Sequence, residues 1–147
     1  MFRYKTSLLT PILLLALVLY STTSQSNNTK NWPKSVAIFD FEMIDTSGGM
    51  IQEEIIAQNK RLKIITRILR EKLEESKRYK PIDISPAKKE IEYWRGGFHA
   101  CNGCDADVAK KLGADLSLVG YVQKVSNLIL NVNVFMRDTK TGKLVEV

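Results

Sequence analysis

Apolar positions change their spacing several times along this chain, and each change marks an element. In "SVAIFDFEMID" (35–45), Val36, Ala37, Ile38, Phe39 and Phe41 follow one another almost without interruption. Such a run predicts a strand buried on both faces, as in a sheet covered by helices. "TSGG" (46–49) ends it as a loop. From about Gln58 to Tyr79 the period becomes helical: Leu62, Ile65, Leu69 and Leu73 recur at steps of three and four. Arg67, Arg70, Lys72, Glu74 and Glu75 lie mostly on the other side, so the apolar stripe is read as core. Arg67 with Glu71 and Glu74 with Arg78 are i,i+4 pairs that add helical support. Ile51 and Ile55 continue the pattern backwards and leave the helix start open.

"YKPIDIS" (79–85) follows as a short strand, and Pro81 places itself at the strand's first position or at a sheet edge. In "SPAKKEIEYW", Ser85 is expected to cap a second helix with Pro86 at its first position, and "RGG" (95–97) ends it. "CDADVAKKLGAD" predicts a third helix, with Asp105 and Asp107 at the positive end of its dipole and Lys110 and Lys111 at the negative end. Gly113 then closes it in a left-handed conformation. "DLSLVGYVQKV" and "LILNVNVFMRD" are strands joined at "SN". In the second, Leu128, Leu130, Val132, Val134 and Met136 face one way, while Ile129, Asn131, Asn133, Phe135 and Arg137 face the other. "TKTG" is a turn with Gly142 at positive φ, and "KLVEV" begins a last strand. The order implies an α/β (α+β) fold with a mixed sheet. Its βαβ start is parallel and right-handed, its C-terminal meander antiparallel, and its helices pack on the sheet.

The first residues have a different character. Arg3 and Lys5 precede the apolar "LLTPILLLALVLY", and "STTSQS" supplies small residues, as in a secretory signal peptide cut near Ser24. Residues 1–24 are therefore expected to be removed, 25–34 to form a polar linker, and 35–147 to be one secreted domain. No cysteine lies near the cleavage region, which excludes a lipoprotein anchor, and the apolar run is short for a membrane span. No transmembrane segment is expected after cleavage, and the expected location is the periplasm.

Charge adds little. The 22 basic and 16 acidic residues give a net of +6, which falls to +4 once Arg3 and Lys5 are gone. The excess is spread along the chain. A nucleic-acid partner, which calls for a clustered basic stripe with aromatics, is not expected.

The segment with most chemistry in it is "HACNGCDADVAKKLGAD", which holds the only histidine, His99, and both cysteines, Cys101 and Cys104. Haem attachment through C-x-x-C needs a histidine directly after the second cysteine, and Asp105 stands there. Zinc needs about four ligands; beyond Cys101, Cys104 and His99 only a carboxylate such as Asp105 or Asp107 is at hand. A thioredoxin-type exchange site resembles a family with a cis-proline loop downstream, yet Pro11, Pro33, Pro81 and Pro86 all precede Cys101. Export favours oxidation, and Gly103 gives the small ring its flexibility, so a local structural disulfide Cys101–Cys104 is favoured. Thiol redox and metal handling remain the alternatives. Asp40, Glu42 and Asp45 read as acids alternating at a strand's solvent end. No residue set is assigned a catalytic, metal or cofactor role.

The order of "SVAIFDFEMID", "RLKIITRILREKLEESKRYKPIDI" and "AKKLGADLSLVGYVQKVSNLILNVNVFMRDTKTGKLVEV" resembles an uncharacterised family of secreted bacterial proteins that carry a domain of unknown function. "CNGCDADVAKKLGAD" followed by "GYVQKVSNLIL" looks like its most specific signature. More distantly, the layout resembles the amino-terminal domain of TolB and the periplasmic part of the curli secretion channel CsgG. The resemblance implies a non-enzymatic docking module of the cell envelope with a protein partner. It also implies that relatives complete the last strand and add a helix, so the chain is expected to be C-terminally shortened or to lack its end.

Overall fold

The computed structural model describes residues 33–48 and 52–145. The signal peptide and nearly all of the linker expected from the sequence lie outside them. The described elements run β1 (Lys34–Ile38), β2 (Glu42–Asp45), α1 (Gln52–Glu75), β3 (Tyr79–Pro81), a 3-10 turn (Ser85–Ala87), α2 (Lys88–Tyr93), α3 (Cys104–Lys111), β4 (Leu116–Lys124) and β5 (Leu130–Asp138).

The sheet is mixed. β4 lies at its centre, with β1 and β2 both parallel to it along one edge and β5 antiparallel along the other. β3 pairs in parallel with the far side of β1, so Pro81 sits on an edge strand, at its last position. The fold class is as the sequence implies. The parallel part is larger, because β4 joins β1 in parallel before it turns back into β5.

The continuous strand expected over 35–45 is broken. Ile38 opposes Leu118 and Glu42 opposes Tyr121, so three residues of one strand (39–41) face two of the other (119–120). This is a bulge, and it reverses which side chains face which layer. Its freed backbone groups are met by α1. The Phe41 amide donates to Thr66 Oγ1 at 3.0 Å, the Thr66 hydroxyl donates to the Leu62 carbonyl, and Arg70 reaches the Ile38 carbonyl at 3.1 Å. Thr66 and Arg70 interrupt the apolar stripe for this reason: buried peptide groups need partners.

Two layers cover the sheet. On one face α1 packs Leu69 and Leu73 against Val36, Ile38, Leu116, Leu118 and Met136, and Leu62 and Ile65 against Phe41 and Val122. Gly120 lies under Phe41, and a Cβ there would clash with that ring. On the other face α3 and the segment before it cover Ala37, Phe39 and Val119, with Phe98 stacked on Phe39 at 4.5 Å.

Three local expectations change. α1 begins earlier and ends earlier than the spacing suggests: Lys77 turns at φ 58°, which releases Tyr79 into β3. Ser85 caps no helix. Its amide and hydroxyl bond to the Asp83 carboxylate, and a 3-10 turn precedes α2. Glu42, expected at a solvent end, is buried. The last strand is represented by one bridge, Arg137 to Leu144, while Gly113 and Gly142 take the positive φ expected of them.

Candidate functional site

The motif that holds every cysteine and the histidine folds into a corner between α2 and α3. Cys101 and Cys104 form a disulfide, with Cα atoms 5.7 Å apart, across Asn102 and Gly103, both at positive φ. Cys104 opens α3 and packs with Val108 and Ala109 in the core. A sulfur held in this bond offers no thiolate to a metal or a substrate.

The corner's polar side chains are occupied as well. The bulge turns Glu42 towards it, where the carboxylate accepts the Phe98 amide at 3.1 Å and the His99 amide at 3.2 Å. His99 Nδ1 stands 2.7 Å from the same carboxylate. Asp105, only 2% exposed, accepts the Ser117 hydroxyl at 2.6 Å and lies 3.4 Å from Arg137 Nε. His99, Cys101, Cys104 and Asp105 are thus brought together, with His99 held by Glu42 of β2, Asp105 by Ser117 of β4 and the two sulfurs by each other. No nucleophile faces a base there. Among the described residues no group of three or more histidine, cysteine or acidic side chains is set to hold a metal. Glu42 was the residue sequence reasoning misjudged; Asp105 stands in the first turn of α3 as expected, and is buried there. The one available signal for Glu42 was a carboxylate inside an otherwise apolar run.

The other surface of interest is the β4–β5 hairpin. From Val125 to Met136 the chain carries no charge. On the α1 side, Leu130, Val132 and Val134 are 58%, 60% and 42% exposed, whereas Met136, next in the same row, is 1% exposed. α1 packs over β1, β2, half of β4 and Met136 of β5, and leaves Leu130, Val132 and Val134 uncovered. Between α1 and β5 runs a groove of about 510 Å³, with Met43, Leu62, Ile65, Val122 and Leu130 as its apolar lining. Lys124 lies at its end, 3.4 Å from Asp45 and 3.8 Å from Glu54. Ser47 holds the Asp45 carboxyl below the usual carboxylate range through its hydroxyl and amide, with a smaller contribution from Lys124.

The opposite face of the hairpin is different in kind. There Asn131 is exposed and Asn133, Tyr121 and Phe135 are half-buried. Tyr121 joins two rings: Phe135 at 5.8 Å across the strands and His99 at 5.4 Å from the corner. Amide and aromatic groups meet here on a rigid sheet, anchored at one side by the disulfide corner. Such a surface suits recognition of a protein, because large flat side chains bury area with little loss of conformational freedom.

Residues 34–147 match the family model described as "Protein of unknown function (DUF2380)", and the chain belongs to that family. No curated protein matches it. Among solved structures, the LpoB C-terminal domains of Salmonella enterica and Escherichia coli are similar at TM-score 0.54. They are 11% and 10% identical, and the match covers 92% of this chain and 88% of each of theirs. The NMR structure of E. coli LpoB is similar at TM-score 0.52 and 11% identity, over 78% of this chain and 54% of that one. At these identities the likeness is one of fold.

Proposed function

We propose that the chain is a non-enzymatic docking module of the bacterial cell envelope, placed in the periplasm by a cleaved signal peptide over 1–24. Its partner is a protein, held on the amide and aromatic face of the β4–β5 hairpin. The observation that carries this reading is the row Asn131, Asn133, Phe135 and Tyr121. It is uncharged, partly exposed and flanked by the disulfide corner beside it. The LpoB-like fold and the TolB- and CsgG-like order of motifs support it. Among the described residues no helix is long and apolar enough to cross a membrane, which is compatible with a domain that works beside one. A role in thiol redox or metal handling draws no support from a corner whose sulfurs and histidine are already engaged.

Affinity capture from an envelope extract tests the reading. The wild-type chain should retain a defined envelope protein in stoichiometric amount. Tyr121→Ala combined with Asn133→Arg should lower that retention at least ~10-fold while still unfolding cooperatively, since aromatic anchors carry most of an interface. Equal retention by both chains, or none by either, would sink the proposal.

A further inference from the structure

α1 carries a second apolar row that its packing on the sheet does not use. Apolar residues stand side by side at Ile55–Ile56, Ile64–Ile65 and Ile68–Leu69. Neighbours on a helix point about 100° apart, so one member of each pair is turned away from the core. Ile65 and Leu69 pack on the sheet, whereas Ile56, Ile64 and Ile68 are 62%, 40% and 45% exposed. Together with Lys60 these three lie at successive four-residue steps. They form one line about 18 Å long on the outer side of the helix.

Charge is sorted along the same line. Over the whole chain the positive excess is spread out, but from Ile55 to Arg70 the helix holds no acid at all. Of its cations there, Arg70 turns inward to the Ile38 and Ile82 carbonyls, while Lys60, Arg61, Lys63 and Arg67 are exposed. Among the described residues Arg67 alone of these four has an ion-pair partner, Glu71 at 2.9 Å. The acids of α1 stand towards its ends, Glu53 and Glu54 at one and Glu71, Glu74 and Glu75 at the other.

Charge complementarity selects the occupant. A second copy would set Lys60, Lys63 and Arg67 against the same cations and is opposed by like charge. A protein partner is gripped best by aromatic anchors, and lysine is scarce in such interfaces; this row has lysine and no aromatic residue. A bilayer rich in anionic phospholipid meets both features. Its phosphates take the cations, its acyl boundary takes the isoleucines, and lysine stems reach along that boundary with the ammonium left among the headgroups. We infer that the outer face of α1 rests on an anionic phospholipid surface. The amide–aromatic face of the hairpin lies on the other side of the sheet from α1, so a chain lying on this helix presents that face away from the lipid. The inference goes beyond the docking reading and stands independently of it.

Co-sedimentation with lipid vesicles tests it, using the chain as secreted, without residues 1–24. The vesicles are phosphatidylcholine alone or phosphatidylcholine with roughly one-third phosphatidylglycerol. The wild type should bind the anionic vesicles at least ~10-fold more tightly than the neutral ones, and added salt should weaken that binding. Lys60→Glu combined with Lys63→Glu should lower it at least ~10-fold, and Ile56→Ser combined with Ile64→Ser at least ~3-fold. Both variants should still unfold cooperatively, since all four positions are exposed. No binding to the anionic vesicles at low salt, equal binding to the neutral ones, or undiminished binding by either variant overturns the proposal. If the vesicles are ignored but Lys60→Glu with Lys63→Glu lowers retention of the envelope protein, the face serves an acidic protein. The lipid surface then falls and the docking reading stands, because the vesicle assay contains no protein partner.

Discussion

The two halves of the sheet use similar side chains and finish them differently. In the closed half, over β1 and the first residues of β4, Val36, Ile38, Phe39 and Leu118 are all 0–1% exposed between α1 and the disulfide corner. In the open half, Leu130, Val132 and Val134 have the same chemistry, and α1 does not reach them. Strand pairing is complete in both, since β4 and β5 stay in register from Leu116 to Lys124. What differs is the second layer. The closed half is there to hold the fold; the open half is presented by it.

The largest contrast is expected between Phe98→Ala and Val132→Ser. Phe98 is 5% exposed, stacked on Phe39, and its amide bonds to Glu42. Removing its ring should cost about 4 kcal/mol in urea unfolding, as for other buried aromatic residues cut to alanine. Val132 is 60% exposed, so its replacement should change stability by less than about 0.5 kcal/mol. A loss of more than ~2 kcal/mol at Val132 would mean that the hairpin's apolar row is core after all.

Gly120 stands where the halves meet. It belongs to a strand and has no unusual φ, so its reason is space: Phe41 lies where its Cβ would be. Gly120→Ala should displace Phe41 from its pocket beside Leu62 and Val122 and cost about 3 kcal/mol by thermal or urea unfolding. A neutral result would show that the ring moves freely and that the bulge at 39–41 is soft.

Much of the closed half was legible because burial leaves a strong pattern. The apolar run of β1, the helical spacing of α1, the dipole-matched ends of α3 and the turn glycines all reflect local chemistry. The bulge was not legible, because it arises from a register mismatch between strands some eighty residues apart. The burial of Glu42 followed from that. A single carboxylate in a strand gives the same local signal whether it ends in water or against Phe98 and His99. In β5 the alternation itself was plain from Leu130 to Met136. Alternation shows that side chains share a face; it does not show what lies over that face, because α1 is anchored elsewhere by Thr66 and Arg70. The site read from the cysteines became a structural corner, while the surface proposed for docking, around Asn131 and Asn133, lies on the polar row of β5.

A last prediction separates long-range from local polar contacts. Asp115 precedes β4 and reaches back to the start of β1. Its carboxylate accepts the Ser35 hydroxyl at 2.7 Å and the Ser35 amide at 3.0 Å, while the Ser35 hydroxyl oxygen accepts the Asp115 amide at 2.9 Å. Ser35 therefore holds the Asp115 carboxyl below its ordinary value of 3.8. Burial opposes this, and Lys34 and Lys140 add to it. A carboxyl whose folded pKa is depressed stabilises the fold fully above its unfolded value. That contribution is lost as pH falls through the folded value. Asp115→Asn should cost about 1 kcal/mol near neutrality, a modest figure because the group is partly exposed. The gap between the variant and the wild type should close as the pH falls below about 4. Asp138 is also depressed, chiefly by the Thr141 amide, but it bonds within its own turn. Asp138→Asn should loosen that turn, read as faster amide exchange at Lys140 and Thr141, with a smaller effect on global unfolding than Asp115→Asn. If the two variants destabilised the chain equally, the turn after β5 would belong to the same cooperative unit as the closed half, and the boundary drawn between the two regions would have to move.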